Sequence, residues 1–129
     1  MMRLLLDTHA FVWWDIDPTR LSPRALALCQ DPGNQLVVSV ASVWEMQIKI
    51  QLGKLHLENS LADMIAEQQR MNNIEILPVN LAHALALATL PIAHKDPFDR
   101  LLISQAKVEG MPFISRDPEF AAYPIAVEW

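Results

Sequence analysis

Short apolar segments that alternate with helical patterns constrain this chain more than any other feature. Three of them read as buried strands, and a fourth, with Pro78 near its end, is strand-like: Arg3–Leu6, Gln35–Val40, Met111–Ser115 and Ile74–Val79. A further edge strand is expected within 121–129. Because helical segments separate the strands, the sequence predicts an α/β fold, in which helices cover a mostly parallel central sheet in a three-layer α/β/α arrangement.

Capping signals mark most of the predicted helices. Ser22-Pro23 and Asp96-Pro97 each place a capping side chain before a proline that suits the first helical turn. The remaining capping residues are Ser60 and either Ser39 or Ser42 at helix N-termini, and Gly53 and Gly110 at C-termini. Two further helices are predicted over 8–14 and 81–90, the second closed by a proline.

Length and composition narrow the class of protein. The 129 residues predict a single domain, 1–129, with 52% hydrophobic and 19% charged residues, typical of a globular protein. A single cysteine, Cys29, excludes an internal disulfide and a cysteine-based zinc site. Neither a signal peptide nor a membrane-spanning stretch is recognised, so a cytoplasmic location is expected. The net charge of −5 argues against a plain basic nucleic-acid binder, but it is compatible with a metal-dependent nuclease, because bound cations reverse the field of clustered carboxylates.

Five acidic residues stand where chemistry is expected. Two follow predicted strands, two open a helix, and one lies in an apolar helix after the second strand: Asp7, Asp117, Asp96, Asp99 and Glu45. Parallel strands present their carboxyl ends at one edge of a sheet, where ligands bind in open α/β folds, so these acids are expected to share a crevice. Carboxylate oxygens without cysteine partners suit a hard cation, Mg²⁺ or Mn²⁺. The sequence therefore predicts a carboxylate-held metal site.

All of these acids except Asp7 also have a structural interpretation. Asp96 is placed as a helix N-cap with Arg100 as its i+4 partner, and Glu45 forms an i,i+4 pair with Lys49 that suits an exposed surface. The helix dipole or a capping role explains the other two, Asp99 and Asp117. Asp7 is the hardest to explain in this way, since an acid that closes a buried apolar strand gains nothing from the core. Taken jointly, the five acids indicate a site.

Four segments, in order along nearly the whole chain, carry a likeness to a known family: Leu4-Leu5-Leu6-Asp7-Thr8-His9-Ala10; Ser39-Val40-Ala41-Ser42-Val43-Trp44-Glu45 followed by Gly53-Lys54-Leu55; His94-Lys95-Asp96-Pro97-Phe98-Asp99-Arg100-Leu101-Leu102-Ile103; and Ile114-Ser115-Arg116-Asp117-Pro118. With these motifs the chain resembles PIN-domain proteins, of the kind found as VapC toxins in prokaryotic toxin–antitoxin pairs.

The resemblance implies a PIN-like fold and a Mg²⁺- or Mn²⁺-dependent endoribonuclease. It implies a catalytic, metal-holding set of four acids: Asp7, Glu45, Asp99 and Asp117. Asp96 belongs to a variant of the motif and is assigned a secondary role at the metal. The hydroxyls of Thr8 and Ser115 match polar positions that orient water or phosphate. The implied partners are an RNA substrate, a small antitoxin that holds the toxin inactive, and a second copy in a homodimer.

Basic and aromatic residues add less. Arg100 and Arg116 are the first choices for contacts with RNA phosphates, because they lie beside acids in sequence. The tryptophans are interpreted as core residues rather than as a base-stacking platform: Trp13, Trp14 and Trp44. The leading hypothesis is an endonuclease acting on structured RNA. Two alternatives stay open, a non-catalytic interaction protein with the same fold and a receiver-like signalling domain with a magnesium pocket.

Overall fold

A five-stranded sheet forms the centre of the computed structural model, which describes residues 1–92 and 96–129. Its strands are β1 Arg3–Leu6, β2 Gln35–Ser39, β3 Glu75–Leu77, β4 Phe113–Ile114 and β5 Val127–Glu128. Their order across the sheet is β3-β2-β1-β4-β5, and every neighbouring pair is parallel. The predicted α/β fold is confirmed. This order differs from the 2-1-3-4-5 order of receiver domains, which removes the receiver-like alternative.

In the part of the chain that the structure describes, six α-helices connect or cover the strands. They are α1 Thr8–Ile16, α2 Pro23–Gln30, α3 Val40–Gln51, α4 Leu61–Asn72, α5 Leu81–Ala86 and α6 Pro97–Glu109. Short 3₁₀ helices follow at Pro18–Arg20, Leu87–Thr89 and Pro118–Ala122. The predicted helix over 81–90 is therefore divided, and its last turn tightens where the Thr89 hydroxyl donates to the carbonyl of Ala86.

The capping predictions are confirmed in the described residues. Ser22, Ser60 and Asp96 each accept a hydrogen bond from a backbone N–H in the first turn of the helix that follows. Of the two candidates for α3, Ser39 is the cap, which leaves Ser42 inside the helix. Gly110 ends α6 in the left-handed conformation, with a φ of 64°. The first two residues of the motif segment 94–103 lie outside the described residues.

The core lies on both faces of the sheet, as a three-layer arrangement requires. Leu4 and Leu6 of β1 pack into one apolar cluster, and Leu5 between them packs into the other. Cys29 is buried in the first cluster, where burial raises the pKa of its thiol to about 12. In the described part of the chain, no helix combines the length and apolar character needed to cross a membrane.

One core prediction is wrong. Trp13 and Trp14 pack partly buried against the first cluster, but Trp44 is 62% exposed. Its ring lies edge-on to Phe98 of α6, with centroids 5.1 Å apart. A tryptophan in an apolar helix says little about which face it occupies, because the neighbouring positions of α3 are apolar on more than one side.

Candidate active site

Three of the predicted acids line one cavity at the carboxyl edge of the sheet. Asp7 directly follows β1, Asp117 follows β4, and Asp99 lies in the first turn of α6. The cavity has a volume of about 330 Å³. Its other lining residues are His9, Ala10, Trp13, Arg116, Pro118 and Phe120. The parallel topology thus brings together acids that are more than a hundred residues apart in the chain, as expected for this fold.

Asp7 is buried, with 7% of its surface exposed, and is held from three sides. Its Oδ1 accepts hydrogen bonds from the backbone amides of His9 at 2.7 Å and Ala10 at 3.3 Å, which makes it the N-cap of α1. Its Oδ2 accepts a bond of 2.6 Å from the Ser115 hydroxyl. Desolvation nevertheless raises the pKa of Asp7 above its ordinary value, against the opposing effect of these bonds.

Glu45 is also buried, at 8% exposed, but does not line the same cavity. Its Oε1 accepts a hydrogen bond of 2.7 Å from the Thr8 hydroxyl, and its Oε2 lies 3.1 Å from the Lys49 ammonium. The i,i+4 pair with Lys49 is therefore present, but its interpretation as an exposed surface pair is wrong. Because Thr8 follows Asp7 directly in the chain, its hydrogen bond connects Glu45 to the segment that carries Asp7.

Ser42 is a member of this network that the sequence reasoning missed. Its Oγ lies 2.9 Å from Thr8 Oγ1 and it is fully buried. Thr8 has a single hydroxyl proton, which goes to Glu45, since an ionised carboxylate only accepts. Ser42 must then donate to Thr8, which gives the chain Ser42 to Thr8 to Glu45. The available signal was its position three residues before Glu45, on the same side of a helix.

The capping interpretation of Asp96 holds in the structure. Its Oδ1 accepts from the backbone amides of Phe98 at 2.9 Å and Asp99 at 3.3 Å, and it does not line the acid cavity. Asp117 combines both interpretations, because it lines the cavity and also caps the following 3₁₀ helix through the amide of Glu119 at 2.9 Å.

The two arginines proposed for phosphate contacts differ. Arg100 donates to the backbone carbonyls of Pro91 at 2.8 Å and Leu87 at 3.4 Å, so its guanidinium ties α6 to the preceding segment. The predicted i+4 pair with Asp96 is not among the ion pairs of the described residues. Arg116 lines the acid cavity, and its guanidinium lies 5.8 Å from the centroid of the Trp13 ring. Of the two, only Arg116 borders the acids.

The hydroxyls of Thr8 and Ser115 lie beside the acids, as the motifs imply. Both are buried, and each binds a carboxylate: Thr8 that of Glu45 and Ser115 that of Asp7. They orient the acids themselves. An orienting role towards water or phosphate stays a prediction.

The donor chemistry fits a hard divalent cation, because the acids offer only oxygen. The three carboxylates of the cavity would hold it from one strand end, one helix start and one loop. Within residues 1–92 and 96–129, however, no group of three or more His, Cys, Asp or Glu side chains is arranged to hold a metal ion. The cavity thus presents suitable donors without assembling them into a coordination site.

The PIN domain family matches residues 4–126, and this chain belongs to that family. It is similar to ribonuclease VapC22 of Mycobacterium tuberculosis, with 25% identity over 118 residues, 91% of this chain and 88% of the relative. Its fold resembles VapBC2 of Rickettsia felis, solved with a DNA fragment from the promoter, with a TM-score of 0.73, 17% identity and 99% of both chains covered. It also resembles VapBC-5 of Mycobacterium tuberculosis, from the VapBC family of toxin–antitoxin systems, with a TM-score of 0.61, 21% identity and coverage of 99% of this chain and 97% of that one.

Proposed function

We propose that this protein is a Mg²⁺- or Mn²⁺-dependent endoribonuclease and the toxin of a toxin–antitoxin pair. The observation that carries the proposal is the cavity lined by Asp7, Asp99 and Asp117 at the carboxyl edge of the sheet. Asp7 is buried, and within the described part of the chain its hydrogen bonds come from uncharged donors. An ionised carboxylate in that position is costly, and a divalent cation in the cavity offsets the cost. The similarity to ribonuclease VapC22 supports the choice of reaction.

Four acids are assigned to the metal. Asp7, Asp99 and Asp117 line the cavity, and Glu45 is connected to the Asp7 segment by its hydrogen bond from Thr8. A bound divalent ion supplies activation of water and neutralisation of charge on the scissile phosphate. Asp96 has a supporting role, since its bonds to the amides of Phe98 and Asp99 fix the start of α6.

Neighbouring residues hold the carboxylates of Asp7 and Glu45 in place, and an arginine at the rim faces the proposed RNA. Ser115 and two backbone amides prevent rotation of the Asp7 carboxylate. Lys49 and Thr8 hold the two oxygens of Glu45 separately. Arg116 stands at the rim of the cavity, where a guanidinium suits an RNA phosphate. A protein of net charge −5 can therefore receive a polyanion locally, once a cation and Arg116 balance the acids.

The toxin role rests on the relatives. VapC22 is a ribonuclease, and VapBC-5 belongs to a toxin–antitoxin family. The assigned protein partner is a small antitoxin, and self-association into a homodimer is a further prediction from the family resemblance.

The test is cleavage of total RNA by the purified protein with Mn²⁺ or Mg²⁺ and then with EDTA, beside Asp7→Asn and Asp99→Asn. Asp63→Asn is the matched control, because Asp63 lies in the first turn of α4 as Asp99 does in α6, with its backbone N–H bonded to the N-cap side chain in the same way. The helix dipole acts on both acids, but Asp63 is exposed and does not line the cavity.

Metal-dependent cleavage by the wild type and Asp63→Asn, with a loss of at least ~100-fold in the other two variants, supports the proposal. Cleavage retained by Asp99→Asn contradicts the assignment of that acid. RNA binding without cleavage by any form identifies the non-catalytic interaction protein instead.

A further inference from the structure

A second cavity lies beside the acids, and the proposed function does not use it. Its volume is about 270 Å³, and it lies between α1, α3 and the turn after α3. Its lining residues are Thr8, His9, Val12, Met46, Lys49, Lys54 and Leu55. We infer that this cavity binds an unpaired nucleotide of the RNA strand next to the scissile phosphate, with Lys54 on its phosphate. The inference rests on the proposed function.

The motif Gly53-Lys54-Leu55 builds this cavity. Gly53 takes the left-handed conformation after α3, with a φ of 72°. The amide of Gly53 then donates to the carbonyl of Ile50 at 3.1 Å, and that of Lys54 to the carbonyl of Lys49 at 2.8 Å. These two bonds form a Schellman motif, which folds the chain back over the last turn of the helix. Backbone geometry thus sets Lys54 beside Lys49 at one cavity.

The two lysines are not equivalent. Lys49 is engaged with Glu45 at 3.1 Å, so its charge serves the catalytic acids. Lys54 is exposed and takes part in none of the ion pairs found between described residues. An exposed cation with no acidic partner at the mouth of a cavity is available to a phosphate.

The rest of the lining favours a nucleotide over a free anion. Val12, Met46 and Leu55 give the cavity apolar walls, which suit the face of a base but contribute nothing to inorganic phosphate. A base enters such a cavity only when it is unstacked, as in a loop of structured RNA. The ligand class is therefore a single-stranded segment of RNA.

His9 connects the two cavities, because it lines both the acid cavity and this one. It is exposed, and its ring lies 6.1 Å from that of Trp13, which lines the acid cavity. A strand that crosses His9 reaches Lys54 on one side and Arg116 on the other. The acids line the cavity on the Arg116 side, so a nucleotide held by Lys54 would adjoin a scissile phosphate bound at the acids.

The experiment measures binding of a fluorescein-labelled RNA hairpin with an unpaired loop to the full chain, by anisotropy, with Mn²⁺ present. Asp99→Asn serves as the parent, so that the RNA stays intact. Lys54→Gln is compared with Lys107→Gln in this background. Lys107 is an exposed lysine of α6 that lines neither cavity, and its loss changes the net charge equally.

Lys54→Gln is expected to raise the Kd about 3- to 10-fold and to lower the slope of log K against log salt by about 0.7, the value for one phosphate contact of a single strand. Lys107→Gln should leave both unchanged. In the cleaving protein, Lys54→Gln should raise KM at an unchanged kcat, since a purely structural role would not divide them this way.

Equal binding by the Lys54→Gln and Lys107→Gln proteins overturns the nucleotide site and leaves the nuclease proposal standing. If the parent binds no RNA and the wild type cleaves none, the proposed function fails together with this inference. Weaker binding of RNA by both lysine variants shows only a general effect of charge and also overturns the site.

Discussion

The two edges of the sheet treat their carboxylates differently. At the amino edge, Arg3 forms a two-pronged ion pair with Glu75, with N···O distances of 2.6 and 3.2 Å. The third guanidinium nitrogen of Arg3 lies 3.7 Å from Glu109, whose other oxygen is 3.2 Å from Nε2 of the buried His83. The hydrogen bond to Glu75 raises the pKa of Arg3, so the guanidinium stays positively charged.

At the carboxyl edge, Asp7 is more deeply buried than Glu75, yet its hydrogen-bond donors among the described residues are a hydroxyl and two backbone amides. Burial raises its pKa, whereas a structural acid is normally paired and has a lowered pKa. The amino edge uses charge to hold three elements together. At the carboxyl edge, the buried Asp7 takes part in none of the ion pairs between described residues, which is typical of a site for a cation.

The largest expected effect is a difference in RNA cleavage between a variant at the carboxyl edge and one at the amino edge. Asp7→Asn keeps the shape and the capping oxygen but removes the charge, so RNA cleavage should fall at least ~100-fold. Glu75→Gln, at the other edge, should change cleavage by less than about twofold, because Glu75 does not line the acid cavity. Gel assays of initial rates check this, and an equal fall in both variants would contradict the assignment of catalysis to the carboxyl edge.

The network behind Glu45 should show an intermediate effect. Thr8→Val removes the hydroxyl that bonds to Glu45, so cleavage should fall about 10- to 100-fold, as for other groups that orient metal ligands. Thr8→Ser retains a hydroxyl and should restore most of the rate. If the valine variant, which keeps the methyl group, is active and the serine variant is impaired, packing of the Thr8 methyl group, rather than its hydrogen bond, explains the loss.

At the amino edge the effect should be on stability alone. Arg3→Met leaves Glu75 and Glu109 without their guanidinium, and the free energy of unfolding should fall by about 1 kcal/mol, a modest value because the side chain is one-third exposed. Urea denaturation measures the change. Cleavage rates per folded molecule should match the wild type, and a loss of activity without a loss of stability would contradict the division of roles.

The smallest effect is the pH dependence of stability in EDTA. The folded pKa of Asp7 is raised, so the stability that its protonated form provides is complete below its unfolded pKa and is lost as the pH rises through the folded value. The free energy of unfolding of the wild type should therefore decline over this range relative to Asp7→Asn, which does not titrate. Urea denaturation from about pH 4 to 8 tests this, and parallel curves contradict it.

Much of the fold was predictable because its signals are local. Apolar runs placed the strands, and pairs such as Ser22-Pro23 and Asp96-Pro97 placed helix starts. The parallel topology then predicted that Asp7 and Asp117 meet at one edge, and they line one cavity.

The rest depended on contacts between distant segments. Ser115 bonds to Asp7 across 108 positions of the chain, and Ser42 to Thr8 across 34, which no local pattern specifies. The exposure of Trp44 likewise depends on how α3 packs. The hydrogen bonds from Arg100 to backbone carbonyls depend on how α6 packs against the segment before it. For the same reason the sequence did not predict that Glu45 is buried, because its i,i+4 spacing to Lys49 suits an exposed pair.

The most direct test of the central claim is the binding of Mn²⁺, followed by loss of its free electron paramagnetic resonance signal, to the wild type, Asp7→Asn and Glu75→Gln. The wild type and Glu75→Gln should bind Mn²⁺ alike, and Asp7→Asn should bind it at least ~10-fold more weakly. Equal binding by all three proteins, or none by the wild type, would contradict the assignment of the carboxyl edge as a metal site.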